Sequence, residues 1–133
     1  MDVLVATALI AILYAVAVPR FRELQGPYAS RSAATAVASA FQAARMRAIA
    51  TNSNVRLTYD SSTKAYTIDR QTGGSWTTEV TNQMPTGVAL SASGGTPQFS
   101  RTGVLNGDFT VTVTAYGTTR TVSINVLGKT TIS

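Results

Sequence analysis

A chain of 133 residues is one domain's worth, and with no cysteine and no histidine it has no disulfide staple, no thiolate nucleophile, no imidazole base and none of the usual zinc ligands. Eleven Lys and Arg against six acids leave a net charge of +5, which permits contact with nucleic acid or anionic lipid without demanding it. An enzyme is not expected, and no cofactor or metal is implied.

The first element is the run MDVLVATALIAILYAVAVP over residues 1–19. From Val3 to Val18 it holds only apolar residues plus Thr7 and Tyr14, with no charge. A helix apolar on every face has no side to show to water, so it belongs in lipid or inside a bundle of similar helices. Its uncharged core of 16 residues (3 to 18 inclusive) is slightly short of the roughly 17 to 25 that span a bilayer alone. Asp2 stands at the very start of the run, where the helix dipole favours an acid and hydrocarbon does not, so it calls for a cationic partner. Pro19 removes one backbone hydrogen bond and is expected to loosen the turn from Val16 onward. A secretory signal would begin basic and end in a small-residue cleavage site, and Asp2 and Val18-Pro19-Arg20 fit neither. A plain membrane anchor explains neither Asp2 nor Pro19.

Acid, apolar run and proline at these spacings resemble the N-terminus of type IV pilins and type II secretion pseudopilins. In that family the mature chain has Glu as its fifth residue and a proline seventeen positions later, the separation kept here by Asp2 and Pro19. The resemblance implies that Met1 is the family's fourth mature position, after a leader removed by prepilin peptidase and three further residues. It also implies subunit contacts through Asp2, Val3, Leu4, Leu9, Ile10, Leu13 and Tyr14, with Asp2 meeting a neighbour's N-terminal amine. Asp in place of Glu keeps the charge with one methylene less reach.

Past Pro19, Gly26 and Pro27 disfavour unbroken helix, because the residue before a proline is pushed out of the α region. A break at Pro19, Gly26 or Pro27 is expected. It divides the chain into an apolar helix, 1–26, acting as membrane anchor and filament core, and a globular head, 27–133. From Ser30 to Ala50 an alanine-rich stretch carries one helical stripe at Val37, Phe41, Ala44 and Ala48. Arg45 and Arg47 flank the stripe near the negative end of the helix dipole, and Asn52 and Asn54 supply the exit.

Everything after Ser53 reads as strand and turn. Val55–Tyr59 and Ala65–Asp69 predict a hairpin, short β-prone pieces follow at Trp76–Val80 and Gly87–Leu90, and a last strand is expected at Lys129–Ile132. The clearest pair sets Phe109, Val111 and Val113 against Val122, Ile124 and Val126, alternating with Thr, Ser or Asn across the turn AYGTT. One long helix before a run of strands argues an α+β fold, with the second half of the helix laid on an antiparallel sheet.

That layout extends the resemblance over the whole chain. The run FQAARMRAIATNSNVRL, with Ala44-Arg45 before Ala48-Ile49, resembles the helix-to-strand junction of H-type minor pseudopilins and FimT-like minor pilins. Phe99 with Gly103, and SINVLGK at Ser123–Lys129, resemble the same group. DNA-binding FimT-like members end in Gly-Arg-x-Arg. Gly128, Lys129, Thr130 and Thr131 keep one cation of that motif and lose the second, so DNA is a possible partner and not the favoured one. Its candidate contacts are Arg101, Arg120 and Lys129, with Tyr116 or Trp76 for stacking; scattered surface charge is the preferred reading.

Glu23, Asp60, Asp69, Glu79 and Asp108 show no ligand spacing and read as solvated acids. Gly73-Gly74 and Gly94-Gly95 are not followed by helices and read as turns rather than phosphate loops. The resemblance therefore implies a structural subunit of a type IV pilus-like extracellular filament, a helical homopolymer of identical subunits held in the inner membrane before assembly by pilus or secretion machinery. The alternative it leaves open is a minor pilin or pseudopilin acting in filament priming, secretion or DNA uptake.

Overall fold

The computed structural model describes residues 2–133. Helix α1 runs from Asp2 to Thr51, 50 residues, or about 75 Å at 1.5 Å per residue. It passes through Pro19 and Pro27 without interruption, so the break expected at Pro19, Gly26 or Pro27 is absent from the free chain. The reason is local. A proline takes a single N–H out of the ladder, and Gly26, immediately before Pro27, is buried against the head. The helix closes with Asn52 in the left-handed region (φ 49°). Ser53 N–H bonds to Ala48 C=O at 3.2 Å and Asn52 N–H to Ile49 C=O at 3.3 Å, the paired bonds of a Schellman cap.

Eight strands follow: β1 Val55–Asp60, β2 Ala65–Thr72, β3 Ser75–Gln83, β4 Val88–Ser93, β5 Gln98–Phe99, β6 Phe109–Ala115, β7 Thr118–Ile124 and β8 Thr130–Ile132. They form two four-stranded antiparallel sheets, ordered β3-β2-β1-β5 and β4-β6-β7-β8, where a single sheet was expected. The chain changes sheet between β3 and β4, and again on either side of β5. Alternation identifies which face of a strand is buried but not which strand lies beside it.

Strands β6 and β7 meet in the register Phe109↔Ile124 and Val111↔Val122. Their turn residues Tyr116 (φ 47°) and Gly117 (φ 79°) both have positive φ, the requirement of a type I′ hairpin. Val126 does not extend this pair. It lies beyond β7, 39% exposed, where Gly128 N–H turns the chain back onto Asn125 C=O at 2.8 Å.

The stripe Val37, Phe41, Ala44 and Ala48 is buried and packs mainly on β7, β6 and β1. Phe41 meets Phe99 edge to face, ring centres 6.3 Å apart, a favoured aromatic geometry. Small side chains at Ala33, Ala34, Ala40 and Ala44, each 6% exposed or less, let the helix axis come close to both sheets.

Two acids expected to be solvated are structural. Asp69 is buried and takes Arg56 Nε at 2.9 Å and Thr78 Oγ1 at 2.8 Å. The register between β2 and β3 shifts after Ile68, which pairs with Val80 while Asp69 pairs with Thr78. Glu79 is thus the extra residue of a β-bulge, and such a residue is re-aimed. Its carboxylate reaches Arg47 of α1 at 2.6 Å and Arg70 of β2 at 2.6 Å, tying the outer strand of the first sheet to the helix.

Candidate assembly interface

Among the described residues, the apolar run of α1 before Pro19 packs on no other element of the chain. Val3, Leu4, Leu9, Ile10, Leu13 and Tyr14 are 57% to 78% exposed, and Asp2 is exposed in the first turn. Thr7 turns its hydroxyl back on Val3 C=O at 2.6 Å, so the segment offers no free donor there. Apolar surface this continuous marks a site of contact with lipid or protein. The helix meets the length and composition needed to cross a membrane.

Contact with the head begins at Gly26. A methyl group there would lie 2.6 Å from Thr118 Oγ1 and 3.2 Å from Tyr116 C=O. Glycine stands at this position for close approach to the β6–β7 hairpin, where the sequence suggested a helix breaker. Just outside the contact, Phe21, Leu24 and Tyr28 face Pro85, Thr86 and Tyr116 across an open groove.

At the far end of α1, Gln42, Arg45 and Ile49 form one face against two glycine turns. Gln42 Nε2 donates to Gly128 C=O at 2.9 Å and to Thr130 Oγ1 at 3.1 Å. A Cβ on Gly128 would fall 3.0 Å from Arg45 Cδ, and one on Gly103 2.7 Å from Ile49 Cδ1 and 3.3 Å from Arg45 Nε. Arg45 therefore lies across both turns, its Nε buried. The sequence places Arg45 beside the helix stripe but carries no sign that two glycines 25 residues apart (103 and 128) converge on it.

These turns bring Arg101, exposed beside Gly103, and Lys129, exposed beside Gly128, to the same end of the head. Arg120 is not with them. It pairs with Val113 toward the hairpin end of β7, while Lys129 N–H bonds Asn125 Oδ1. The five residue steps from Arg120 to Asn125 put Arg120 about 17 Å from that point at 3.3–3.4 Å per residue.

Burial pushes the Asp69 carboxyl up, but hydrogen bonds from Arg56, Thr78 and Thr67 and the Arg56 charge outweigh it and hold the group below the ordinary aspartate value. The Ser62 hydroxyl and N–H similarly lower Asp60. Asp108 Oδ1 accepts Val126 N–H at 2.8 Å. These acids serve the fold.

The family model for the type II transport protein GspH matches residues 33–128. The chain belongs to the GspH family. No curated protein matches it in sequence. Among solved structures, the minor pseudopilin EpsH of the Vibrio cholerae type 2 secretion system shares the fold with TM-score 0.66 at 14% identity, over 78% of this chain and 95% of that one. The type IV minor pilin FimU of Pseudomonas aeruginosa follows at 0.65 and 18%, over 78% and 87%. This GspH-family chain has the α+β fold of these two pilin-type proteins. Both glycine turns gripping Arg45 lie within the matched residues.

Proposed function

We propose that the chain is a minor subunit held in the inner membrane by residues 1–26 and drawn into a filament by exchanging lipid for contacts between helices, with residues 27–133 as its head outside the cytoplasm. The observation that carries this reading is the exposed apolar run of α1 that precedes Gly26, which among the described residues is the first in the helix to be buried against the head. Such a helix is stable only when lipid or other helices cover it. Asp2, Val3, Leu4, Leu9, Ile10, Leu13 and Tyr14 make those contacts, and Asp2 pairs with a neighbour's N-terminal amine because an acid at the edge of an apolar bundle is costly alone. Gain relative to lipid is small, so extraction draws on the assembly machinery. Pro19, Gly26 and Pro27 are where the helix gives way under load in the filament.

The description of EpsH and FimU as minor subunits favours that role over the homopolymer of identical subunits. Immunogold labelling of sheared filaments separates the two. Sparse or tip-restricted gold supports a minor subunit, and continuous gold along the fibre establishes the homopolymer instead.

A further inference from the structure

The two sheets part on the side of the head where β1 and β2 face β4 and β6. A cleft of about 280 Å³ opens between them, lined by Leu57, Tyr59 and Tyr66 on one side, Leu90 and Ala92 on the other, with Phe41 of α1 beneath. Both walls end in unpaired backbone. Among the described residues β4 pairs only with β6. β1 pairs with β5 at Val55 and Arg56, with one further bond from Leu57 N–H to Pro97 C=O, so among the described residues Thr58–Asp60 have no ladder partner on that side, and Gly95, Thr96 and Pro97 of the β4–β5 connection close that end of the cleft.

Open edges are normally guarded by charge, proline, a bulge or shortness. The other edges here follow that rule: β3 carries Glu79 and the bulge, and β8 has three residues. Strand β4, VALSAS over six residues, has none of these protections. Its inner side chains Leu90 and Ala92 point into the cleft instead. An occupant must cover apolar side chains and also bond to a row of free N–H and C=O groups. A helix, 10 Å or more across and with its own backbone bonds already made, does neither in a space this small. A small apolar ligand leaves the edge unpaired. An extended segment does both, because alternate side chains enter the cleft while the backbone continues the ladder.

We propose that β4 is a strand-acceptor edge: an extended segment of a partner protein, aliphatic at alternate positions and free of proline, pairs with Val88–Ser93 and fills the cleft against Phe41 and Tyr59. This is independent of how the filament is built, and its test involves no filament.

The full chain, held in lipid nanodiscs, is used to select from a displayed library of random octapeptides, and the tightest peptide is resynthesised. We expect alternating aliphatic residues, and slower amide hydrogen exchange in β4 when it binds. We also expect at least tenfold weaker binding after N-methylation of one of the two alternating sets of its backbone amides. Ala92→Glu places a charge in the cleft at an exposed position and should weaken binding tenfold with an unchanged thermal midpoint; Leu90→Asp, half-buried, serves only if its midpoint is also kept. Selection of no peptide overturns the proposal, as does a peptide that still binds Ala92→Glu. So does one whose affinity survives N-methylation of both sets, which makes the cleft a pocket for side chains only.

Discussion

Gly26 of the helix and Thr118 of the β6–β7 hairpin are in such close approach that a single added methyl would stand 2.6 Å from the threonine hydroxyl. Alanine at 26 gains about 1 kcal/mol in helix propensity. Against that stand overpacking costs of about 1–3 kcal/mol, since behind the hydroxyl lie the Tyr116 and Ala115 carbonyls at 3.2 and 3.4 Å. Gly26→Ala should therefore lower stability by about 1 kcal/mol in urea unfolding. Adding Thr118→Ala should recover most of it. A stabilised single mutant would mean the contact yields freely.

Gly73 and Gly128 provide a matched comparison. Both have positive φ, 59° and 80°, but a side chain on Gly73 meets open space while one on Gly128 meets Arg45 at 3.0 Å. Gly73→Ala should cost only the backbone term of about 1–2 kcal/mol. Gly128→Ala should cost about 1 kcal/mol or more beyond that, because Arg45 must leave its place between the two turns. Equal thermal shifts in the two variants would show that Arg45 is not held there.

The Asp69 carboxyl is held below its unfolded value, so the stability it supplies is present above the unfolded pKa of about 3.9 and lost as pH falls through the folded one. Asp69→Asn should cost about 1–3 kcal/mol at pH 7, because it removes the charge facing Arg56 and replaces one of the two acceptor oxygens used by Arg56 and Thr78 with an NH2 donor. It should also flatten the fall in stability below about pH 4. Urea unfolding at pH 7 and pH 3 tests both, and an unchanged acid slope rejects the assignment.

Asp2→Ala should reduce filament incorporation severalfold while leaving the thermal midpoint of the head unchanged, because the acid lies at the far end of an exposed apolar run, remote from the head. Normal incorporation would remove Asp2 from the assembly contact.

Arg101 and Lys129 share one end of the head and Arg120 lies apart, so a phosphate-binding surface there is small. Duplex DNA should bind the full chain in nanodiscs only in or above the roughly 10⁻⁴ to 10⁻⁶ M range of non-specific contact, with a shallow salt dependence. Fluorescence anisotropy at two salt concentrations measures it. Submicromolar binding abolished by Lys129→Ala would promote DNA uptake to the main role.

Local chemistry alone determined the apolar helix at Val3–Val18, the buried stripe Val37-Phe41-Ala44-Ala48, and the β6–β7 hairpin, because each depends on periodicity within a few residues and a turn that only certain residues adopt. It also carried the spacing of Asp2 and Pro19. What only the tertiary structure decided are relationships between distant segments. Gly26 looked like a breaker because a Gly-Pro pair disfavours helix locally, yet the hairpin it packs on lies some 90 residues later (26 to 118). Glu79 and Asp69 looked solvated because their arginine partners, Arg47, Arg56 and Arg70, sit on other elements. The same holds for the split into two sheets and the open edge of β4. Strand faces are written in alternation with period two, but the choice of neighbouring strand is set by packing on the shared helix, for which no single segment carries a signal.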